Sequence, residues 1–89
     1  MNMRAKVAVV QVKELFNNEA EKTGKYQEQL EFTAVPRSQY PEDGSDEDNT
    51  FAVWSPTASF TINVANPNLW GKFEVGQKYY VDFTQAETQ

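Results

Sequence analysis

The chain has no cysteine and no histidine. Without cysteine there is no disulfide framework and no thiolate nucleophile, and without histidine the commonest general base and transition-metal ligand is missing. Zinc and haem ligation, and hydrolytic triads built on an imidazole, fall outside its repertoire. Long hydrophobic runs are missing as well. The segment Met1-Asn2-Met3-Arg4-Ala5-Lys6 leads into a short apolar stretch broken by Gln11 and Lys13, too short for a signal-peptide core or a membrane span. The expectation is a soluble protein without membrane contact. Basic charge is scarce: eight Lys and Arg stand against thirteen Asp and Glu, for a net charge of −5. The basic stripe of a duplex-DNA binder is absent.

What is present is aromatic. Six Phe, four Tyr and two Trp in 89 residues supply the large side chains that a domain of this size needs to build a core. The length predicts a single domain over 1–89, with an exposed, mobile acidic loop at about 37–50. Five carboxylates, Glu42, Asp43, Asp46, Glu47 and Asp48, fall within seven residues there, and the remaining eight acidic residues balance the eight basic ones. That loop has the oxygen-rich composition of a calcium site, but its spacing does not match a twelve-residue EF-hand loop and no helices flank it. It is read as a solvated loop; neither a metal nor any cofactor is expected.

Apolar periodicity of two recurs along the chain. Met3, Ala5, Val7 and Val9 alternate with Arg4, Lys6 and Ala8, and then Val10 and Val12 shift the phase by one. The shift predicts a bend or bulge near Val9-Val10, of the kind that carries a strand from one sheet of a barrel to another, or else a strand buried on both faces. Asn17 to Lys25 reads as a polar hairpin connection. Tyr26, Leu30, Phe32 and Ala34 form one face of a second strand that ends at Pro36. Phe51-Ala52-Val53-Trp54 suits a short strand, and Ala58, Phe60, Ile62 and Val64 alternate cleanly with Ser59, Thr61 and Asn63.

Asn66-Pro67 reads as a turn or helix cap leading into Leu69, Trp70 and Phe73, which are expected to plug one end of the sheet. Gly76 then turns the chain into a last strand with Tyr79, Val81 and Phe83 inward and Tyr80 and Asp82 outward, followed by a polar tail from Gln85 to Gln89. These elements predict an all-β small antiparallel barrel, OB-like or SH3-like, of four to five strands with one short helical plug. A small β-sandwich is the competing arrangement.

No residue set specifies a reaction. The serines have no histidine partner, no glycine-rich phosphate loop is present, and Asp82 on its wetter face suits a hydrogen-bonded structural role better than acid–base work. The chain is therefore expected not to be an enzyme. Candidate partner-binding residues are Tyr40, Phe51, Val53, Trp54 and Tyr80, for contact with another protein or for self-association. The alternative is an OB-like binder of single-stranded nucleic acid, with bases stacked on Trp54 and Tyr80 and phosphates met by Arg4, Lys6, Arg37 and Lys78. Small-molecule or nucleotide binding comes third.

The terminal run from Asn66-Pro67-Asn68-Leu69-Trp70-Gly71 through Tyr79-Tyr80-Val81-Asp82-Phe83-Thr84, with Met3-Arg4-Ala5-Lys6-Val7 and Ser55-Pro56-Thr57-Ala58-Ser59, resembles small proteins encoded by tailed bacteriophages. The resemblance covers about half the chain and its motifs are structural. It implies an origin in phage virions or in the cytoplasm of infected bacteria, and no catalytic or ligand-binding residue follows from it. Taken together, these readings lead to a non-catalytic binding or assembly module, either a virion accessory component or an effector that binds a host protein.

Overall fold

In the computed structural model, which describes residues 3–88, four strands form one antiparallel sheet. Met1, Asn2 and Gln89, the last of them part of the expected polar tail, lie outside the described residues. Strand β1 spans Met3–Asn18, β2 Thr23–Ala34, β3 Ser59–Val64 and β4 Lys78–Phe83. Their order across the sheet is β3-β2-β1-β4, so the longest strand and its hairpin partner are central and the two short ones form the edges. The all-β expectation holds in this form. Among the described residues β3 and β4 are not paired with each other, and the sheet is open where a closed barrel was expected.

Register explains which side chains meet. Val7 lies opposite Ala34 on β2 and Tyr79 on β4, Phe32 opposite Val9 and Phe60, and Leu30 opposite Val12 and Ile62. Since cross-strand partners share a face, these residues line one side of the sheet. Its centre is the buried core: Ala5, Val7, Val9, Leu30 and Phe32.

The expected irregularity at Val9-Val10 is a β-bulge. Val9 pairs with Phe32 while Gln11 pairs with Glu31, leaving Val10 as the extra residue. Its effect differs from the expected passage between sheets. By absorbing one residue it compensates the phase shift, so Val12 stays on the face of Val7 and Val9 and the strand continues in the same sheet. Beyond it the β1–β2 ribbon runs on, and Asn17, Asn18, Thr23, Gly24 and Lys25 belong to strands, leaving only Glu19 to Lys22 as the connection. Lys22 adopts the left-handed conformation (φ 57°), and Asn18 accepts a hydrogen bond from the Glu21 amide.

The apolar run Phe51 to Trp54, expected as a strand, is a turn. Trp54 has φ 67° and donates its amide to the Gly44 carbonyl at 2.7 Å, which folds the chain back onto the acidic loop. That loop is not wholly exposed: Gly44, Asp46 and Asn49 are buried. Pairing between β1 and β2 stops at Val7 and Ala34, with one more bond from the Val35 amide to the Lys6 carbonyl. Asn49 and Thr50 take the place of β2 from there. The Lys6 amide donates to Asn49 Oδ1 at 2.8 Å, the Thr50 amide donates to the Arg4 carbonyl at 3.0 Å, and the Arg4 amide donates to Thr50 Oγ1 at 2.9 Å. Asn49 Nδ2 donates to the Val35 carbonyl and to Asp46 Oδ2. This one side chain, 0% exposed, thereby joins β1, the end of β2 and the loop.

After β3, Asn66 caps a single 3-10 turn, Pro67–Leu69, by accepting the Asn68 amide, with proline at the first helical position as expected. Of the expected plug residues, Leu69 is largely exposed, Trp70 donates its indole N–H to the Val64 carbonyl at 2.8 Å, and Phe73 packs on Phe32 and Tyr79. Gly76, at φ 96°, makes the turn into β4.

Replacing Asn49 with Ala removes the acceptor of the Lys6 amide and the donor to the Val35 carbonyl, both within the fold. The expected loss is about 2–3 kcal/mol of unfolding free energy, the desolvation cost of stranded polar groups. Urea denaturation measures it, and a change no larger than that of a surface Asn→Ala control such as Asn63→Ala would show that the loop is not integral to the sheet.

Candidate functional site

Two sides of the sheet differ in chemistry. On the polar side Arg4 faces Asp82 and Lys6 faces Tyr80 across the β1–β4 pair. Arg4 Nε and Nη2 donate to Asp82 at 2.7 and 3.2 Å, and the guanidinium lies 4.6 Å from the centre of the Tyr80 ring. The Tyr80 hydroxyl donates to Asp48 Oδ1 at 3.1 Å, and Lys6 Nζ sits 3.6 Å from Asp48 Oδ2. The Asp82 hydrogen bond holds the Arg4 guanidinium above its ordinary pKa. Asp82 thus has the structural role expected for it.

The candidate residues from the sequence are divided by this arrangement. Arg4, Lys6 and Tyr80 come together, but each is engaged by a carboxylate of Asp82 or Asp48. Arg37 and Trp54 lie in the loop, Arg37 donating to the Ser45 carbonyl, and Lys78 is exposed opposite Ala8 on β4. Tyr40 and Trp54 meet edge to face with ring centres 6.0 Å apart. Trp54 rests on Gly44, where an added Cβ would come within 2.6 Å of the indole. Trp54 and Val53 are 50% and 65% exposed at this end of the loop. Phe51 instead packs against the core from the other side.

The apolar side is the more distinctive surface. Phe32, Phe73 and Tyr79 form an aromatic floor, with Phe32 edge-on to Phe73 at 6.3 Å and to Tyr79 at 6.2 Å. From the two edge strands, Phe60 and Phe83 approach to 6.4 Å between ring centres. Flat, strands three positions apart lie about 14 Å from each other, so the sheet coils toward this side. Two shallow grooves result. One of about 190 Å³ is lined by Val7, Phe32, Phe60, Ile62, Phe73, Tyr79 and Val81, and one of about 230 Å³ by Met3, Ala5, Phe51, Thr57, Ala58, Phe60 and Phe83. They meet at Phe60 and form one apolar trough, with Ile62 51% exposed on its rim.

At the far end of the trough three charged residues close on one another. Lys25 Nζ lies 2.7 Å from Glu28 and 3.1 Å from Glu14, and 4.7 Å from the centre of the Trp70 ring. Glu28, 3% exposed, also accepts the Gly71 amide at 3.1 Å. Glu28 first, through its hydrogen bond, raises the Lys25 pKa. The group is a clasp that pins the Trp70-Gly71 turn to the sheet. Sequence reasoning placed Phe60, Ile62, Tyr79, Val81 and Phe83 on inward faces of their strands; Phe60, Tyr79 and Val81 are half-buried against the core, and Ile62 and Phe83 are exposed.

Two of the acidic loop's carboxylates serve as backbone acceptors. Asp43 accepts the Ser45 amide and Asp46 the amides of Asp48 and Asn49. Among the described residues no group of three or more acidic side chains is arranged to hold a metal ion, and no helix is long and apolar enough to cross a membrane. Compared with protein-family models, with curated proteins and with solved structures, the chain matches none.

Asp43 is held below the ordinary carboxylate pKa by the Ser45 amide, and Glu19 by the Phe16 amide. A carboxylate with a depressed folded pKa stabilises the fold above its unfolded value and loses that contribution as pH falls through the folded one. The Ser45 and Phe16 amide resonances are therefore expected to shift only below about pH 4, following Asp43 and Glu19. A midpoint at or above the peptide value for either carboxylate would contradict the hydrogen bond.

Proposed function

We propose that the protein is a non-catalytic binding or assembly module that acts through protein–protein contacts, and that the apolar trough is its contact face. The observation that carries this reading is the unbroken line of apolar side chains, Phe60, Ile62, Val81 and Phe83, left exposed or half-exposed across the coiled sheet. Large contiguous apolar surface is uncommon on a monomer and marks sites of association. The bulged β1 and the approach of Phe60 to Phe83 support a barrel-like curl of the OB or SH3 kind, which a partner's side chains would complete. Phage encoding, with action in the virion or in the infected cell, belongs to the same proposal and rests on the sequence resemblance alone.

Other readings find less support. Single-stranded nucleic-acid binding needs free cations beside open rings; Arg4 and Lys6 are paired with Asp82 and Asp48 and Arg4 lies over the Tyr80 ring, which leaves exposed Lys78 beside Tyr80, itself 51% exposed, as the pair this reading would use. Small-molecule binding needs an enclosed site of at least about 300 Å³; the apolar grooves are smaller, and the two larger depressions, about 390 Å³ beside Arg4 and Asp82 and about 510 Å³ beside Lys13 and Glu19, are open.

Thr61 and Ile62 are neighbours on β3 that point to opposite faces, which supplies a matched pair of variants. Ile62→Lys is expected to weaken association with a protein partner by about tenfold or more, the worth of one buried aliphatic side chain. Thr61→Lys is expected to leave it unchanged. Equal behaviour of the two would remove the trough from the reading. In a gel shift at low salt, single-stranded oligonucleotides are expected not to bind; a salt-sensitive shift lost in Lys78→Glu would put the nucleic-acid reading in its place.

A further inference from the structure

Resting on the contact-face reading above, we propose that the contact is made by strand addition: an extended segment of a partner protein pairs with the free edge of β3 and lays its alternate apolar side chains beside Phe60 and Ile62.

Register determines which backbone groups are free. The Ala34 amide donates to the Ala58 carbonyl at 3.0 Å, so Ala34 turns its backbone toward β3, and by alternation so do Phe32, Leu30 and Glu28. Their partners Phe60, Ile62 and Val64 turn back toward β2. The N–H and C=O groups of Ser59, Thr61 and Asn63 therefore point away from the sheet, and all three residues are exposed. Among the described residues neither another strand nor a loop backbone pairs with them.

The two edges of the sheet are unlike. On β4 the outward backbones are those of Lys78, Tyr80 and Asp82, because Val9 bonds to Gly76 and Gln77 and the residues of β1 that face β4 alternate from there. Lys78 and Asp82 put charge on that edge, and Arg4 lies against both Asp82 and Tyr80. Charge on an edge strand discourages pairing with another chain, as do proline and bulges. Strand β3, Ser-Phe-Thr-Ile-Asn-Val, has no charge and no proline, and its register with β2 runs without a bulge. It is rich instead in the β-branched and aromatic residues that favour pairing.

A row of donors and acceptors repeating about every 7 Å is matched by another extended backbone. Beside β3 the side chains of such a segment alternate as those of β3 do, one set next to Phe60 and Ile62 and the other next to Ser59, Thr61 and Asn63. Ile62, 51% exposed at the rim of the trough, is the side chain it covers. The segment is thus apolar at every second position. Charge selects its source: a second copy, also at −5, is repelled, whereas a neutral or basic segment is not.

Selection of octapeptides from a fully random display library on the immobilised full chain tests the proposal. The enriched peptides are expected to be neutral or basic and apolar at alternate positions. Thr61→Pro removes an outward N–H and none of the bonds to β2, a change that edge strands tolerate. It is expected to weaken binding of these peptides about tenfold, the worth of one hydrogen bond together with the obstruction by the ring. Thr61→Lys keeps the donor and is expected to bind as the wild type does. N-methylation of the peptides is a check that leaves the chain unaltered: at residues whose amides face β3 it is expected to abolish binding, and at the intervening residues to have no effect. Absence of enrichment overturns the proposal, and so do peptides that tolerate N-methylation at every position. A wild-type dimer in sedimentation equilibrium that Thr61→Pro dissolves would overturn the partner segment in favour of a second copy. If binding survives Thr61→Pro but falls in Ile62→Lys, the edge is wrong and the contact face stands. If it survives both, both fail.

Discussion

Every part of the fold is organised by the need to satisfy the backbone of β1. Over sixteen residues this strand presents donors and acceptors on both edges, and no single neighbour is long enough to meet them. On one edge β2 pairs from Asn18 back to Val7 and then leaves, and Asn49 and Thr50 continue in its place. On the other edge β4 pairs with Met3 to Ala8, and Gln77 and Gly76 add two bonds at Val9. The acidic loop is therefore a surrogate strand at its Asn49-Thr50 end, and Asp43 and Asp46 serve the local turns that bring Asn49 into place. This is why a fully buried amide sits in the most acidic part of the chain.

Much of the framework was legible because alternation is a direct record of facing. The patterns at Ala58 to Val64 and Tyr79 to Phe83 gave β3 and β4 and their inward residues, and the phase change at Val9-Val10 located the bulge. Its consequence was misjudged, since one extra residue and one lost residue of phase cancel and leave Val12 on the original face. Phe51 to Trp54 had strand composition, but what decides it is the pair of bonds that Asn49 and Thr50 make to β1, and those are long-range. A local signal for Asn49 did exist: Asp46 three residues ahead of it is the spacing of a side-chain-to-amide turn, the bond seen from the Asn49 amide to Asp46 Oδ1.

The candidate site was legible in its residues and not in its state. Periodicity tells which side chains share a face, and a face buried by its own chain leaves the same pattern as one left open. Of the residues singled out as partner-binding, Val53, Trp54 and Tyr80 are exposed, Trp54 with Tyr40 and Gly44 against it and Tyr80 with Arg4 and Asp48. Exposure of Ile62 and Phe83 on the trough reflects a shortage of covering elements there, which no local window of sequence records.

The polar side carries a paired network along β1 and β4. Arg4, Asp82, Tyr80, Asp48 and Lys6 form a lattice in which each charge has a partner, and exposed pairs of this kind contribute little to stability, about 0–1 kcal/mol each. Their larger effect is on which side of the sheet stays wet. A face carrying ionised groups is expensive to bury, and a face carrying Phe60, Ile62, Val81 and Phe83 is expensive to leave in water. Because the two faces belong to the same four strands and differ by one step of alternation, the polar lattice and the apolar trough fix the register together. A slip of one residue in β4 would place Asp82 in the trough and Val81 in water, so the contrast that exposes a contact face also selects the single pairing in which it can form.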